Sequence, residues 1–350
     1  MGAGDGAGRV KRRSLMFLAA EQAAVCEENF PGPKAGQVLV RTRWSAVSPG
    51  TEMLAYTGRV PQDMALDETI SSLRGRFAFP FKYGYACVGQ VSDAGPGVDP
   101  AWVGRMVFAF HPHESAFTAA PDELIPIPED IPPETAIFLA NMETAVNFVL
   151  DGRPLIAESA GVFGLGIVGL LTTALLARFP LSALVTFDRY PRRRAAALEL
   201  GVSASYDPAS PDALDAARAL VQQRGGADGA DLVYEVSGSP QALNQALALA
   251  GFAGRVVIGS WYGNKGVELD LGGRFHRSRI RLISSQVSTL TPELGGRWSK
   301  ARRLEAAWDA LRHIDPRRWS THRYDFMDAP QAYQQLLNAP EEAIQAVFEY

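Results

Sequence analysis

Apolar and polar residues alternate along the first third of the chain and then recur at helical spacing. SLMFLAA (14–20), QVLVRTRWSAVS (37–48), FKYGYACVGQVSDAG (81–95) and GRMVFAF (104–110) predict turn-punctuated strands, because period two sends successive side chains to opposite sheet faces. ESAFTAAPDELIPIPEDIPPETA (114–136) is proline-rich and predicts an irregular crossing. From AIFLANMETAVNFVL (136–150) onward the rhythm changes. Apolar strand-like runs, SAGVFG, ALVTFD, SASYD, ADLVYEVS, RVVIGS and RLISSQV, alternate with helix-like ones. That alternation predicts a doubly wound parallel sheet covered on both faces. Two amphipathic helices and a last short strand follow, from 292 to 350, and are expected to return to the first domain.

Length and composition sharpen this picture. At about 150 residues per domain, 350 residues suggest two domains. Hydrophobic residues at 47% and charged residues at 21% are globular values, so neither disorder nor a fibrous repeat is indicated. A net charge of −4 without a dominant basic block argues against a nucleic-acid partner, despite RVKRR (9–13) and RYPRRR (189–194). No run approaches the roughly 18 apolar residues of a membrane span, so no membrane partner is expected. The apolar stretch near the start is too short for a secretory signal, so none is expected, and Cys26 and Cys87 suit a reducing cytoplasm better than a disulfide framework. The glycine-rich tip, residues 2 to 8, is expected to be mobile.

The most informative stretch is GVFGLGIVG (161–169). Gly164, Gly166 and Gly169, with Leu165 and Ile167 between them, follow a strand and open a helix. In that setting the first glycine allows a tight turn, the second lets backbone approach a pyrophosphate, and the third lets helix and strand pack closely. The helix N-terminus adds N–H groups and a positive dipole end. About 20 residues on, Asp188 closes the next strand, where a carboxylate accepts from adenosine ribose hydroxyls; this favours NAD over NADP. Arg189, Arg192 and Arg193 pull the other way, since a guanidinium there accommodates a 2′-phosphate. Ser237, Gly259 and Ser260 end two later strands and are further cofactor contacts by position. The inserts WYGNKG (261–266) and GGRFHRSR (272–279) either line a substrate mouth or cover the sheet edge.

QVLVRTRWSAVS, YGYACVGQVSDAGPGV followed by VGRMVFAF, and the closing THRYDFMDAPQAYQQLL resemble the medium-chain dehydrogenase/reductase superfamily over nearly the whole chain. The resemblance implies a β-rich GroES-like catalytic domain, 1–133 and 288–350, and a Rossmann dinucleotide-binding domain, 134–287. SPGTEM narrows it to the branch that includes bacteriochlorophyllide hydroxyethyl dehydrogenases. In the zinc alcohol dehydrogenases of this superfamily, cysteines, a histidine and an acid hold the metal. By motif alignment those places hold Ser48, Tyr85 with Ala86, and Ala140, which do not supply tetrahedral zinc donors. The four-cysteine structural lobe also has no counterpart. The resemblance thus implies a zinc-independent member.

Without a metal, side chains must polarise the reacting oxygen. If the former ligand positions surround the nicotinamide, Ser48, Thr51, Glu52, Tyr85, Asn141, Glu143 and Thr144 are near the reacting carbon. Tyr85 is either the acid/base or a phenol packed at a domain interface. Glu52 and Glu143 either share the proton or serve as a turn acceptor and a helix-start carboxylate. Asn141 and Thr144 either orient substrate and nicotinamide or cap a helix. His111 and His113 form a relay to solvent or an ordinary loop, and Lys82 meets an anionic substrate or water. Phe81, Tyr83, Trp261 and Tyr262 leave room for a large aromatic substrate or form a core patch. The expected function is hydride transfer between NAD(P) and a secondary alcohol or ketone. The alternatives are an NADPH-dependent enoyl or quinone reductase, or a cofactor-binding protein without turnover. Pairing of the last strand's edge between copies predicts a homodimer.

Overall fold

The computed structural model describes residues 9–225 and 228–350; the tip at 2–8 lies outside the described residues. The chain forms two compact units, Met1–Ala140 with Asp315–Tyr350, and Asn141–Ile314.

The first unit opens with the antiparallel hairpin β1 (Arg9–Ala19) and β2 (Gln22–Pro31). The alternation does not reveal β2, because only Phe30 of its ten residues is buried. Then come β3 (Val38–Ala46), α1 (Pro49–Tyr56), β4 (Cys87–Ala94), β5 (Met106–Ala109), β6 (Ala116–Ala119), β7 (Ile125–Pro126) and α2 (Pro133–Ala136). The segment expected to be an irregular crossing therefore holds two short strands. Phe117 of β6 is buried and the strand pairs antiparallel with β3, from Val38–Ala119 to Arg41–Ala116, while the prolines that follow limit its length. Val38, Val40, Val91, Val107 and Phe117 form the core here.

The second unit runs through α3 (Leu139–Gly152), β8 (Ser159–Phe163), α4 (Ile167–Leu176), β9 (Ala183–Phe187), α5 (Pro191–Leu198) and β10 (Ala204–Tyr206). It continues with α6 (Ala213–Gln223), β11 (Ala230–Glu235), α7 (Pro240–Leu249), β12 (Ala250–Ile258), β13 (Arg281–Ser284) and α8 (Lys300–His313). The strands form one parallel sheet in the order β10-β9-β8-β11-β12-β13. Every residue of β8 and β9 is buried, as a sheet covered on both faces requires. Strand order reverses between β8 and β11, which is where such sheets open a ligand crevice.

The chain then returns to the first unit as β14 (Ser320–Asp325), α9 (Ala329–Asn338) and β15 (Gln345–Glu349), with β15 antiparallel to β3. The units divide at 140/141 and 314/315, against the 133/134 and 287/288 expected from sequence. α8 belongs with the second unit because Arg303, 2% exposed, reaches back to Glu143 and Asn147 of α3. No helix among the described residues is long and apolar enough to cross a membrane.

Candidate functional site

In the second unit the loop between β8 and α4 is shaped by three glycines with different tasks. Gly164 has φ +94°, a left-handed conformation, and a Cβ there would lie 2.5 Å from the Ser237 Cα. A Cβ on Gly169 would lie 1.9 Å from the Gly164 carbonyl oxygen, so helix and turn meet at backbone distance. On Gly166 a Cβ would meet nothing within 4 Å. Gly166 is also the N-cap of the ten-residue α4 and makes no side-chain cap bond. An open cradle facing uncapped helix N–H groups fits a pyrophosphate. Leu165 and Ile167 are buried and contribute backbone; the Leu165 N–H donates to Asp188 Oδ2 at 2.8 Å.

Asp188, at the end of β9, thus fastens the glycine loop, and its Oδ1 also accepts from Tyr190 N–H at 2.8 Å. Arg189 and Arg193 each stack at 4.7 Å on the Tyr190 ring. Beside these residues a 230 Å³ cavity is lined by Phe163, Phe187, Pro208, Ser210, Leu214 and Gln245. Phe163 directly precedes Gly164, Phe187 directly precedes Asp188, and their rings stack at 4.1 Å. The cavity wall thus joins aromatic rings with the polar side chains of Ser210 and Gln245. A larger groove of 610 Å³ lies in the first unit between the β1–β2 turn and α9, and no site residue expected from sequence lines it.

Ser237 lies against the Gly164 turn, and Gly238 N–H donates to Ser260 Oγ at 2.8 Å. Gly259 has a packing reason to be glycine, since a Cβ would lie 2.2 Å from the Phe148 ring. In α3, Asn141 is buried and Thr144 half-buried. Glu143, expected to share the proton work, is the counterion of Arg303. Its Oε1 accepts from Arg303 Nη2 at 2.8 Å and Nε at 3.1 Å, and the same guanidinium bonds Asn147 and the carbonyls of Val287 and Thr289.

In the first unit, Tyr85 OH donates to Ser48 Oγ at 2.5 Å. Pro49 starts α1 with a preset φ, so Ser48 sits at the helix entry and Glu52 turns back to it. Glu52 is fully buried: Oε1 accepts from Ser48 N–H at 2.6 Å, and Oε2 meets His113 Nε2 at 3.0 Å and the Tyr333 hydroxyl. His113, also fully buried, continues through Nδ1 to Ser45 Oγ at 2.7 Å, and Ser45 to Tyr350 OH at 2.8 Å. The His113 ring lies under Gly84, where a Cβ would come within 2.6 Å of it. The cluster therefore supports both sides of the Ser48–Tyr85 pair: the Ser48 turn through Glu52, and Gly84 before Tyr85 through His113. Burial pushes the Tyr85 phenol up to about 12; hydrogen bonds with Ser48 and Thr51 lower it, and the charges of Glu52 and Asp67 raise it.

Other expected residues have different surroundings. Lys82 reaches Glu114 at 2.7 Å and also Glu28, so its ammonium is spent inside the unit and does not await an anionic substrate. His111 stacks on Phe117 at 3.8 Å, and burial lowers its pKa, keeping it neutral near pH 7. Phe81 and Tyr83 are buried in an aromatic cluster with Phe77. Cys26 is exposed and Cys87 buried, both as free thiols. No pattern in the sequence marks Tyr333, Ser45, Tyr350 and Arg303; each is an ordinary residue far along the chain from its partner.

Residues 168–304 match the family described as zinc-binding dehydrogenase. The donor set does not fit that metal: no group of three or more His, Cys, Asp or Glu among the described residues could hold an ion, and Ser48 and Tyr85 offer only hydroxyls. D-guloside 3-dehydrogenase of Escherichia coli K12 is 24% identical over 353 residues, spanning 95% of this chain and 98% of the relative. (R,R)-butanediol dehydrogenase of Bacillus subtilis 168 is 26% identical over 269 residues, 68% of this chain and 74% of the relative. An alcohol dehydrogenase from E. coli CFT073, solved with NADH, superposes with a TM-score of 0.78 at 18% identity over 97% of this chain and 99% of its own. The two units carry the GroES-like and Rossmann folds of such enzymes. Taken together, the match over residues 168–304, the relative that spans the chain and the shared fold make this chain similar to zinc-binding and alcohol dehydrogenases.

Proposed function

We propose that this protein is a zinc-independent NAD(P)-dependent oxidoreductase that interconverts a secondary alcohol and its ketone. The observation that carries this reading is the Tyr85–Ser48 hydroxyl pair where a metal centre is expected, in a chain that also has the open Gly166 cradle. A bound nicotinamide dinucleotide supplies or takes up the hydride. The α4 N-terminus and Gly166 would hold its pyrophosphate, Asp188 its adenosine ribose, and the Phe163–Phe187 slot its base, with NAD the preferred form. Asn141, Thr144 and the Ser237 and Ser260 loops complete the cofactor side of the reading.

Tyr85 handles the proton. In reduction its phenol gives the O–H proton to the carbonyl oxygen as the carbon gains hydride, and Ser48 Oγ holds the phenol in place. The tyrosinate left behind is reprotonated from water. Glu52 has no oxygen turned to substrate; it acts by fixing Ser48 and His113. Glu143 receives no proton work, because Arg303 occupies its carboxylate. A dimer across the edge of β13, which ends the sheet, and a cytoplasmic location belong to the same reading.

The raised phenol sets a pH signature. Below about 12 the donor form dominates, so kcat/KM for ketone reduction should be flat from pH 6 to roughly 10. Oxidation needs tyrosinate, so its kcat/KM should climb about tenfold per pH unit over the same range without a plateau. A plateau in oxidation near pH 7 would exclude Tyr85 as the base.

The function itself is tested with ketone and enone panels against NADH and NADPH, together with elemental analysis of the purified protein. Ketone-dependent NADH oxidation that survives a chelator, in protein without stoichiometric zinc, is the expected result. Turnover confined to enones with NADPH would favour the reductase alternative. Stoichiometric zinc would overturn the metal-free chemistry.

A further inference from the structure

Glu235 ends β11, is fully buried, and has no part in the chemistry above. Its Oε1 accepts from both the N–H of Ser237 at 2.8 Å and its hydroxyl at 2.5 Å, and its Oε2 accepts from Tyr262 OH at 2.5 Å. A buried carboxylate persists only when such donors surround it, and here they come from two loops. The same loops are tied at a single residue: Gly238 N–H donates to Ser260 Oγ at 2.8 Å, and Lys265 Nζ donates to the Gly238 carbonyl at 2.7 Å. The turn so held backs the glycine loop, since a Cβ on Gly164 would lie 2.6 Å from the Ser237 nitrogen and one on Gly169 would lie 3.4 Å from Val236 Cγ2.

We propose that Tyr262, acting through Glu235, is a positioning residue for the dinucleotide: the loop after β12 braces the turn after β11, and that turn fixes the glycine loop. This rests on the reading of Gly164–Gly169 as the cofactor cradle. The brace explains why WYGNKG exceeds a minimal turn: its tyrosine and lysine reach the neighbouring loop. The Tyr262 ring packs on the hydrophobic core of the sheet, so Tyr262→Phe keeps the packing and deletes one hydroxyl.

The test compares the full-length parent, Tyr262→Phe, and Tyr262→Phe with Glu235→Gln, by NADH fluorescence titration and by amide hydrogen exchange without cofactor. Tyr262→Phe should raise the Kd for NADH about tenfold and speed exchange at Leu165, Ser237 and Gly238, because it strips a donor from a buried charge. The added Glu235→Gln removes that charge and should bring Kd back to within about threefold of the parent. A merely structural role would lower Tm without this recovery. Unchanged Kd and unchanged exchange in Tyr262→Phe would overturn the brace while leaving the cradle intact. Faster exchange in Tyr262→Phe, with a parent that takes up neither NADH nor NADPH, would overturn the cradle reading, and the positioning role with it.

Discussion

Replacing Tyr85 by phenylalanine is expected to lower kcat by about 10²–10⁴-fold, the range for loss of a positioned general acid, with NADH affinity and Tm unchanged. The ring makes an edge contact with Tyr83 at 6.3 Å that phenylalanine keeps, so the substitution removes only the O–H that points to Ser48. Stopped-flow or steady-state reduction of a ketone, with a parallel NADH titration, separates loss of proton donation from loss of the site. Ser48→Ala should cost less, because it loosens the donor without deleting it. A Tyr85→Phe enzyme within threefold of the parent would mean that the proton comes from another group.

Glu143→Ala is expected to destabilise the second unit by about 3–5 kcal/mol, since it leaves a buried guanidinium without its counterion. Arg303 is 2% exposed and its remaining partners are the neutral Asn147 amide and two carbonyls, which do not replace a charge. Urea unfolding followed by Trp fluorescence measures the loss. Combining Glu143→Leu with Arg303→Met should recover only part of it, because the carbonyls of Val287 and Thr289 then lose their donor. If Glu143→Gln keeps the parental midpoint yet abolishes turnover, the counterion role is wrong and a proton role returns.

The fold and the shape of the glycine loop were legible because their signals are local. Gly164, Gly166 and Gly169 fall within six positions between an apolar strand and a helix, and β8 and β9 are written as apolar runs between helical periods. β2 and β6 escaped notice for the opposite reason: one buries a single residue and the other is a four-residue strand wedged against prolines. The proton cluster was half legible. Tyr85, Ser48 and Glu52 fall in two short motifs, but His113 meets Glu52 across 61 positions and Tyr333 meets it across 281. No spacing rule relates residues that only a finished fold brings together. Glu143 was ambiguous because a carboxylate near a helix start looks the same whether its partner is a substrate or an arginine 160 positions away; the structure puts it past the first turn of α3, against Arg303.

Glu52 collects its partners from the entry to α1, from the segment after β5, and from α9, beyond the whole nucleotide unit. Its shell therefore closes last in biosynthesis. While the chain emerges, all strands of the second unit precede α9, and until Tyr333 arrives the acid has only its Ser48 and His113 partners. Translation past α9 is thus the step that supplies the last hydrogen-bond partner of Glu52.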